Sequence, residues 1–318
     1  MRKAIFALFF AAFVSILGNP LASGAVPESP QSSFEKGYAA YKQGDYKVAL
    51  AEFLRAAEGG HLNACFNLGM MHQNGWGVNP DNKKALEWYR KAAERGHPGA
   101  QVNLGVMFEK GRGVPRDYPE AMSWYLKAAI QGDSDAQFNL GTMYEKGLGV
   151  PQNYPEAFHW FYKAAEQGDP DAQFNVATMY SRGQGTPRDD AEAIRWYRLA
   201  AEEGNPEAKY SLGVMYSKGQ GAPQDYTEAM FWFKQLAGEG DPDAQYNLGV
   251  LHWKGQGVPA DLQQAYVWFS VSAANSSGEA NKRASSARDI VAAKLTPEQL
   301  AQAKKAAAEW KPAGTGAP

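Results

Sequence analysis

One interval, thirty-six residues, governs this sequence. Small residues recur at Gly69, Gly105, Gly141, Ala177, Gly213 and Gly249. Trp88, Trp124, Trp160, Trp196, Trp232 and Trp268 keep the same step, as do Ala85, Ala121, Ala157, Ala193, Ala229 and Ala265. Gly-x-Gly pairs open at Gly75, Gly111, Gly147, Gly183, Gly219 and Gly255. Six units therefore run without a break from His61 to Ser276. A fixed step of this length marks a stacked array of small helical or strand units, each too thin to fold alone.

The unit over 133–168 reads as two helices. Asp133 supplies a side-chain acceptor at the start of the first, and Ala136, Leu140 and Met143 share one face at i, i+4 and i+7. In the units opening at Asp169, Asn205 and Asp241 a proline follows the cap, where its missing N–H costs nothing. Gly147 ends the helix, and Gly147-Leu148-Gly149-Val150-Pro151 makes the turn. Asn153 opens the second helix, with Glu156 three residues on in the pattern of a capping box. Ala157, Trp160, Phe161 and Ala164 follow at helical spacing, and Gly168 closes the unit. Gly141, Ala157 and Ala165 are expected to let helices approach closely, with Trp160 and Met143 filling the space beside them. Helical phase with the alanines reads the tryptophans as core rather than as a carbohydrate-stacking ladder.

The ends depart from the pattern as an array requires. Residues 33–60 read as a shortened unit through Gly37, Tyr41, Gly44-Asp45-Tyr46, Ala49, Phe53 and Ala56-Ala57, preceded by a linker over 26–32. Residues 277–311 read as capping helices: the face turns polar at Lys282, Arg283, Ser285 and Arg288, and Thr296-Pro297-Glu298-Gln299 opens a last helix reaching about Trp310. Residues 312–318 are expected to be a disordered tail.

The chain begins with Arg2 and Lys3, then an apolar run from Ala4 to Leu17 and the small residues Ser23-Gly24-Ala25. That order is a secretory signal, with cleavage expected after Ala25; the run is short for a membrane anchor, which needs roughly 20 residues. Losing it would take the formal charge from −2 to −4. Thirty-two basic against 34 acidic residues offer no field for a polyanion, so nucleic acid is not expected as a partner. Cys65 is the one cysteine, which excludes an intrachain disulfide framework and a cysteine-built zinc site. It is expected to be a packed thiol.

The run Asp-Ser-Asp-Ala-Gln-Phe-Asn-Leu-Gly-Thr-Met-Tyr-Glu-Lys-Gly-Leu-Gly-Val-Pro from Asp133, continuing to Ala157 and Trp160-Phe161-Tyr162-Lys163-Ala164-Ala165, resembles the Sel-1-like repeat. That repeat is a longer-turned relative of the tetratricopeptide repeat, which residues 33–59 resemble. The resemblance, to secreted bacterial members, implies an all-α fold: a right-handed α-solenoid superhelix of antiparallel helix pairs. Its first helices would line a concave face serving protein–protein contacts and adaptor roles. Some secreted relatives are cysteine-rich and labelled β-lactamases; this chain, with Cys65 alone, departs from them.

On a helical wheel, Asp135, Asn139, Thr142 and Lys146 form a stripe beside the packed face. The asparagine recurs as Asn67, Asn103, Asn139, Asn175 and Asn247, with Ser211 the exception. Each amide offers a donor and an acceptor, which suits the backbone of an extended peptide. The same amides would equally tie one repeat to the next. Acidic residues recur at Asp135, Asp171, Glu207 and Asp243, and basic ones at Lys110, Lys146, Arg182, Lys218 and Lys254. They would flank a bound peptide, or simply complement the helix dipole at first and last turns.

A catalytic constellation is not evident. His61, His72, His97, His159 and His252 form no metal-binding pair, and His61 and His97 stand at helix starts where other units carry Asp or Asn. The Gly-x-Gly pairs follow helices, so they are turn glycines and not nucleotide loops. One Ser-x-x-Lys match, Ser33 to Lys36, has no companion motif. The expectation is an exported, non-enzymatic scaffold with no metal or cofactor, binding a peptide or protein segment on the concave face. The alternative is an envelope hydrolase of β-lactam or cell-wall type. Release beyond the envelope is not separated from retention in a periplasm.

Overall fold

The computed structural model describes residues 28–312, so the expected signal segment (1–25) and all of the tail beyond Pro312 lie outside the described residues. Among the described residues there are sixteen α-helices and no strand. The entry pair is α1 (Pro30–Lys42) and α2 (Tyr46–Glu58). Six pairs follow: α3 (Leu62–Asn74) and α4 (Asn82–Ala93), α5 (Pro98–Lys110) and α6 (Tyr118–Ile130), α7 (Ser134–Lys146) and α8 (Tyr154–Glu166). Then come α9 (Pro170–Arg182) and α10 (Asp190–Glu202), α11 (Pro206–Lys218) and α12 (Tyr226–Gly238), α13 (Pro242–Lys254) and α14 (Leu262–Asn275). The closing helices are α15 (Gly278–Ala292) and α16 (Pro297–Glu309). Consecutive helices pack antiparallel on one another, the α-solenoid expected from the period.

Local chemistry sets the helix ends. Asp133 accepts the Ala136 N–H at 2.9 Å, and Pro170, Pro206 and Pro242 occupy first-turn positions. Gly147 adopts φ 67°, and its N–H reaches the Met143 carbonyl. The second glycine of each pair serves the stacking itself: a Cβ at Gly185 would lie 2.2 Å from the Tyr154 carbonyl oxygen of the preceding unit. Each turn thus sits on the start of the previous unit's second helix.

The structure corrects three local expectations. Helix α1 begins at Pro30, capped by Ser29, so part of the expected linker is helical. Asn153 accepts the Glu156 N–H at 3.3 Å, but the full reciprocal box forms at Thr296 and Gln299 instead. At the matching position in α6, Glu120 turns away from its cap to accept the Trp124 indole N–H at 2.9 Å. The third correction concerns the glycine row. The ring that fills the space over it belongs to the residue after each tryptophan: Tyr89, Tyr125, Phe161, Phe233 and Phe269 cover Gly69, Gly105, Gly141, Gly213 and Gly249. Trp124, Trp160, Trp196 and Trp232 are buried beside them, and Trp88 and Trp268 are half-buried.

The core is a strip shared between units rather than a set of separate centres. Trp160 packs in the cluster that reaches back to Cys65, whereas Ala157 and Phe161 of the same helix pack in the cluster running on to Leu251. Helices α15 and α16 close the far end. Trp310 meets Trp268 at 6.2 Å, and the Gln263 amide donates to the Gln299 carbonyl at 3.2 Å.

Candidate functional site

In five of the six repeat pairs an aromatic residue of the first helix precedes the asparagine position, at Phe66, Phe138, Phe174, Tyr210 and Tyr246; α5 carries Val102 there. Each ring packs on an aromatic of its own unit's second helix, with centroids 5.3–5.9 Å apart. This row shares the 36-residue phase, and sequence reading passed over it.

The asparagines do not behave as one set. Asn67 is buried. Asn103 lies near the Tyr89 hydroxyl of the preceding unit, which itself donates to Gln73 Oε1 at 2.8 Å, and Asn247 donates to Tyr210 Oη at 3.4 Å. Asn139 and Asn175 are half-buried, and their amides make no side-chain hydrogen bond among the described residues. Ser211, the exception, donates to the Glu207 carbonyl at 2.8 Å within its own helix.

Repeats are tied together by a different amide row, two residues earlier. Gln101, Gln137, Gln173 and Gln245 are buried. Their Nε2 groups donate to the carbonyls of Ala93, Ala129, Ala165 and Ala237 in the preceding unit at 3.1–3.3 Å. Oε1 of Gln101, Gln137 and Gln245 accepts from Gln131, Gln167 and Asn275 at 2.7, 2.8 and 3.1 Å. Every glutamine so placed joins three helices across a repeat boundary. The row falters where α9 to α12 meet. Glu203 stands in the place of Gln131 and Gln167, and the Gln173 Oε1 is buried without a partner. Lys209 replaces the next glutamine and reaches Glu239 at 2.5 Å. Cys65 holds the corresponding place in α3, and burial raises its thiol pKa.

The charged rows lie at opposite ends of the first helices. Asp135, Glu207 and Asp243 are exposed and Asp171 is half-buried, all in first turns. Asp171 accepts from Asn205 at 3.2 Å, and Asp243 pairs with Arg283 of the closing helix at 2.5 Å. Lys110, Lys146, Arg182, Lys218 and Lys254 are exposed in last turns, where they complement the helix dipole. Lys110 pairs with Glu109 at 2.5 Å.

Tyr210 is the point where three cavities meet. The largest, about 560 Å³, brings together the predicted Asn247, Lys218 and Lys254 with Val214, Tyr226 and Gln256. A second, about 320 Å³, lies between the predicted Glu207 and Asp243. The third, about 230 Å³, opens beside Ser211 and Asp190.

The remaining candidates take local roles. His61 and His97 accept the Ala64 and Ala100 N–H groups through Nδ1 at 3.3 and 3.1 Å, doing the work of the Asp or Asn found elsewhere. Burial lowers the pKa of both. Ser33 is buried, and both Ser33 and Lys36 turn to the Glu28 carboxylate, which accounts for their pairing at the start of α1.

The model of the Sel1 repeat matches residues 62–97, 98–133, 134–169, 170–205, 206–241 and 242–277, and that of a tetratricopeptide repeat matches 18–61. A Sel1 repeat protein from Oxalobacter formigenes is 32% identical with a TM-score of 0.64, over 76% of this chain and 96% of its own. A protective antigen present in uropathogenic Escherichia coli strains, displaying an SLR fold, is 31% identical with a TM-score of 0.55, over 87% of this chain and 68% of its own. No curated protein matches the chain.

Proposed function

The chain belongs to the Sel1 repeat family, and from that premise we propose that it is an exported, non-enzymatic scaffold that holds a peptide or protein segment along its first-helix face. The repeat fold itself is of a kind typical of protein–protein interaction. The observation that carries the proposal is the division of labour between two amide rows. Buried glutamines join the repeats, whereas the amides of Asn139 and Asn175 make no internal hydrogen bond among the described residues and lie on the adjoining stripe. An amide with donor and acceptor both available suits the backbone of an extended chain. Charge of opposite sign at the two ends of α7, α9, α11 and α13 adds a means of fixing the partner's orientation.

Alanine replacement of Asn103, Asn139, Asn175 and Asn247 together is expected to abolish recovery of the partner captured by the unaltered chain, with helical content retained. Unchanged recovery by the folded variant would remove the groove from the account. Export is tested separately: fractionation of cells making the full chain should find a shortened product outside the cytoplasm, and a full-length cytoplasmic product would contradict it.

A further inference from the structure

Resting on that reading, we propose that the cavity spanning α11, α12 and α13 is an anchor site for a carboxylate-bearing peptide, taking an acidic side chain that stands next to a bulky apolar one. Its lining holds two ammonium groups, Lys218 and Lys254, and no carboxylate. Neither lysine makes an ion pair or hydrogen bond among the described residues. The polar groups between them are arranged as donors. Gln256 donates to Tyr226 Oη at 2.8 Å and Asn247 to Tyr210 Oη at 3.4 Å, so each phenol accepts internally and keeps its own proton to give. Ser217 already donates to the Val214 carbonyl at 2.8 Å. Around these groups lie Val214, Phe233, Val250 and Leu251, an apolar floor for a large side chain.

The neighbouring cavity, one repeat earlier, supplies the contrast. There Asp190 occupies the position that Tyr226 holds, and it is paired with Arg188 at 2.6 Å. A carboxylate entering that cavity meets a carboxylate already in place; one entering between Lys218 and Lys254 meets only donors. Opposite charge in a partly enclosed site favours the ionised partner and fixes its register. The apolar floor then selects the adjoining residue.

The test uses the full chain and an array of twelve-residue peptides (up to about 40 Å when extended, enough to cross several repeats at about 10 Å each). One set places Asp or Glu beside Phe, Trp or Leu; matched sets replace the acid by Asn or Gln, or by Lys. The acidic–apolar set is expected to bind at least about tenfold more tightly than the others. In the double variant Lys218→Glu and Lys254→Glu the preference should invert toward the Lys-containing set, a result that mere unfolding cannot produce. Tyr210→Ala should weaken the acidic set without inverting it. Binding that ignores the acid, or that survives the double charge reversal but fails in Asn139→Ala with Asn175→Ala, overturns this anchor while leaving the peptide-binding face intact. Failure of every set to bind overturns both.

Discussion

Gly141 leaves no room for a side chain: a Cβ there would lie 2.6 Å from the Phe161 ring, and its counterpart at Gly105 would lie 2.4 Å from that of Tyr125. Gly141→Ala is therefore expected to cost about 1–3 kcal/mol by overpacking, read as a lower urea midpoint. One unit carries alanine here naturally, Ala177, where Tyr197 is accommodated and hydrogen-bonds Thr178 at 3.0 Å. A loss at Gly141 no larger than that of an exposed substitution would contradict the packing described. The histidine caps make a second residue-scale prediction. His61 Nε2 lies 3.0 Å from Gln31 Oε1, so its proton there leaves Nδ1 as the acceptor that caps α3. A protonated ring has no acceptor. Burial sets the folded pKa of His61 and His97 below 6.5, so the unfolded chain binds the protons more tightly. Their contribution is complete above the ordinary histidine value and declines as pH falls through it. His97→Asp should flatten the fall in melting temperature between about pH 7 and pH 5, because an aspartate stays an acceptor down to roughly pH 4. An unchanged slope would contradict the capping role.

At the scale of helices and their junctions, the glutamine row makes the units cooperate, and its gap names a weak joint. Gln173 Oε1 lacks a donor because Glu203 stands where an amide stands elsewhere. Glu203→Gln should supply that donor and raise stability by about 1 kcal/mol, measured by urea unfolding; no gain, with the fold unchanged, would show that the gap costs nothing. Helix ends and turns were legible in the sequence because their rules are local: Asp133, Gly147 and Thr296 each act within four residues of themselves. The division between tying and free amides was not. Gln137 and Asn139 are both amides in the same phase, and their roles separate only when the position of Gln137, three residues before Leu140 on the packed face, is weighed together with the Ala129 carbonyl of the neighbouring unit. The ring over each glycine was misplaced by one residue for a similar reason, since Trp160 and Phe161 are both buried and only packing distinguishes them.

At the scale of the whole molecule, a core strip shared between units and tied junctions bind each pair to its neighbours. The period made the solenoid readable from end to end. The cavities at Tyr210 were not readable, because one draws Tyr226 from a second helix and Gln256 from a turn toward two lysines a full repeat apart. The central claim is that the two amide positions, two residues apart, do different work: the glutamines hold repeats together, whereas Asn139 and Asn175 make no side-chain hydrogen bond among the described residues. Urea unfolding of two double variants tests it most directly. Gln137→Ala with Gln245→Ala should lose about 2–6 kcal/mol, since each removes two hydrogen bonds that join neighbouring helices. Asn139→Ala with Asn175→Ala should lose no more than about 1 kcal/mol in total. Equal losses from the two pairs, or a larger loss from the asparagines, would contradict the claim.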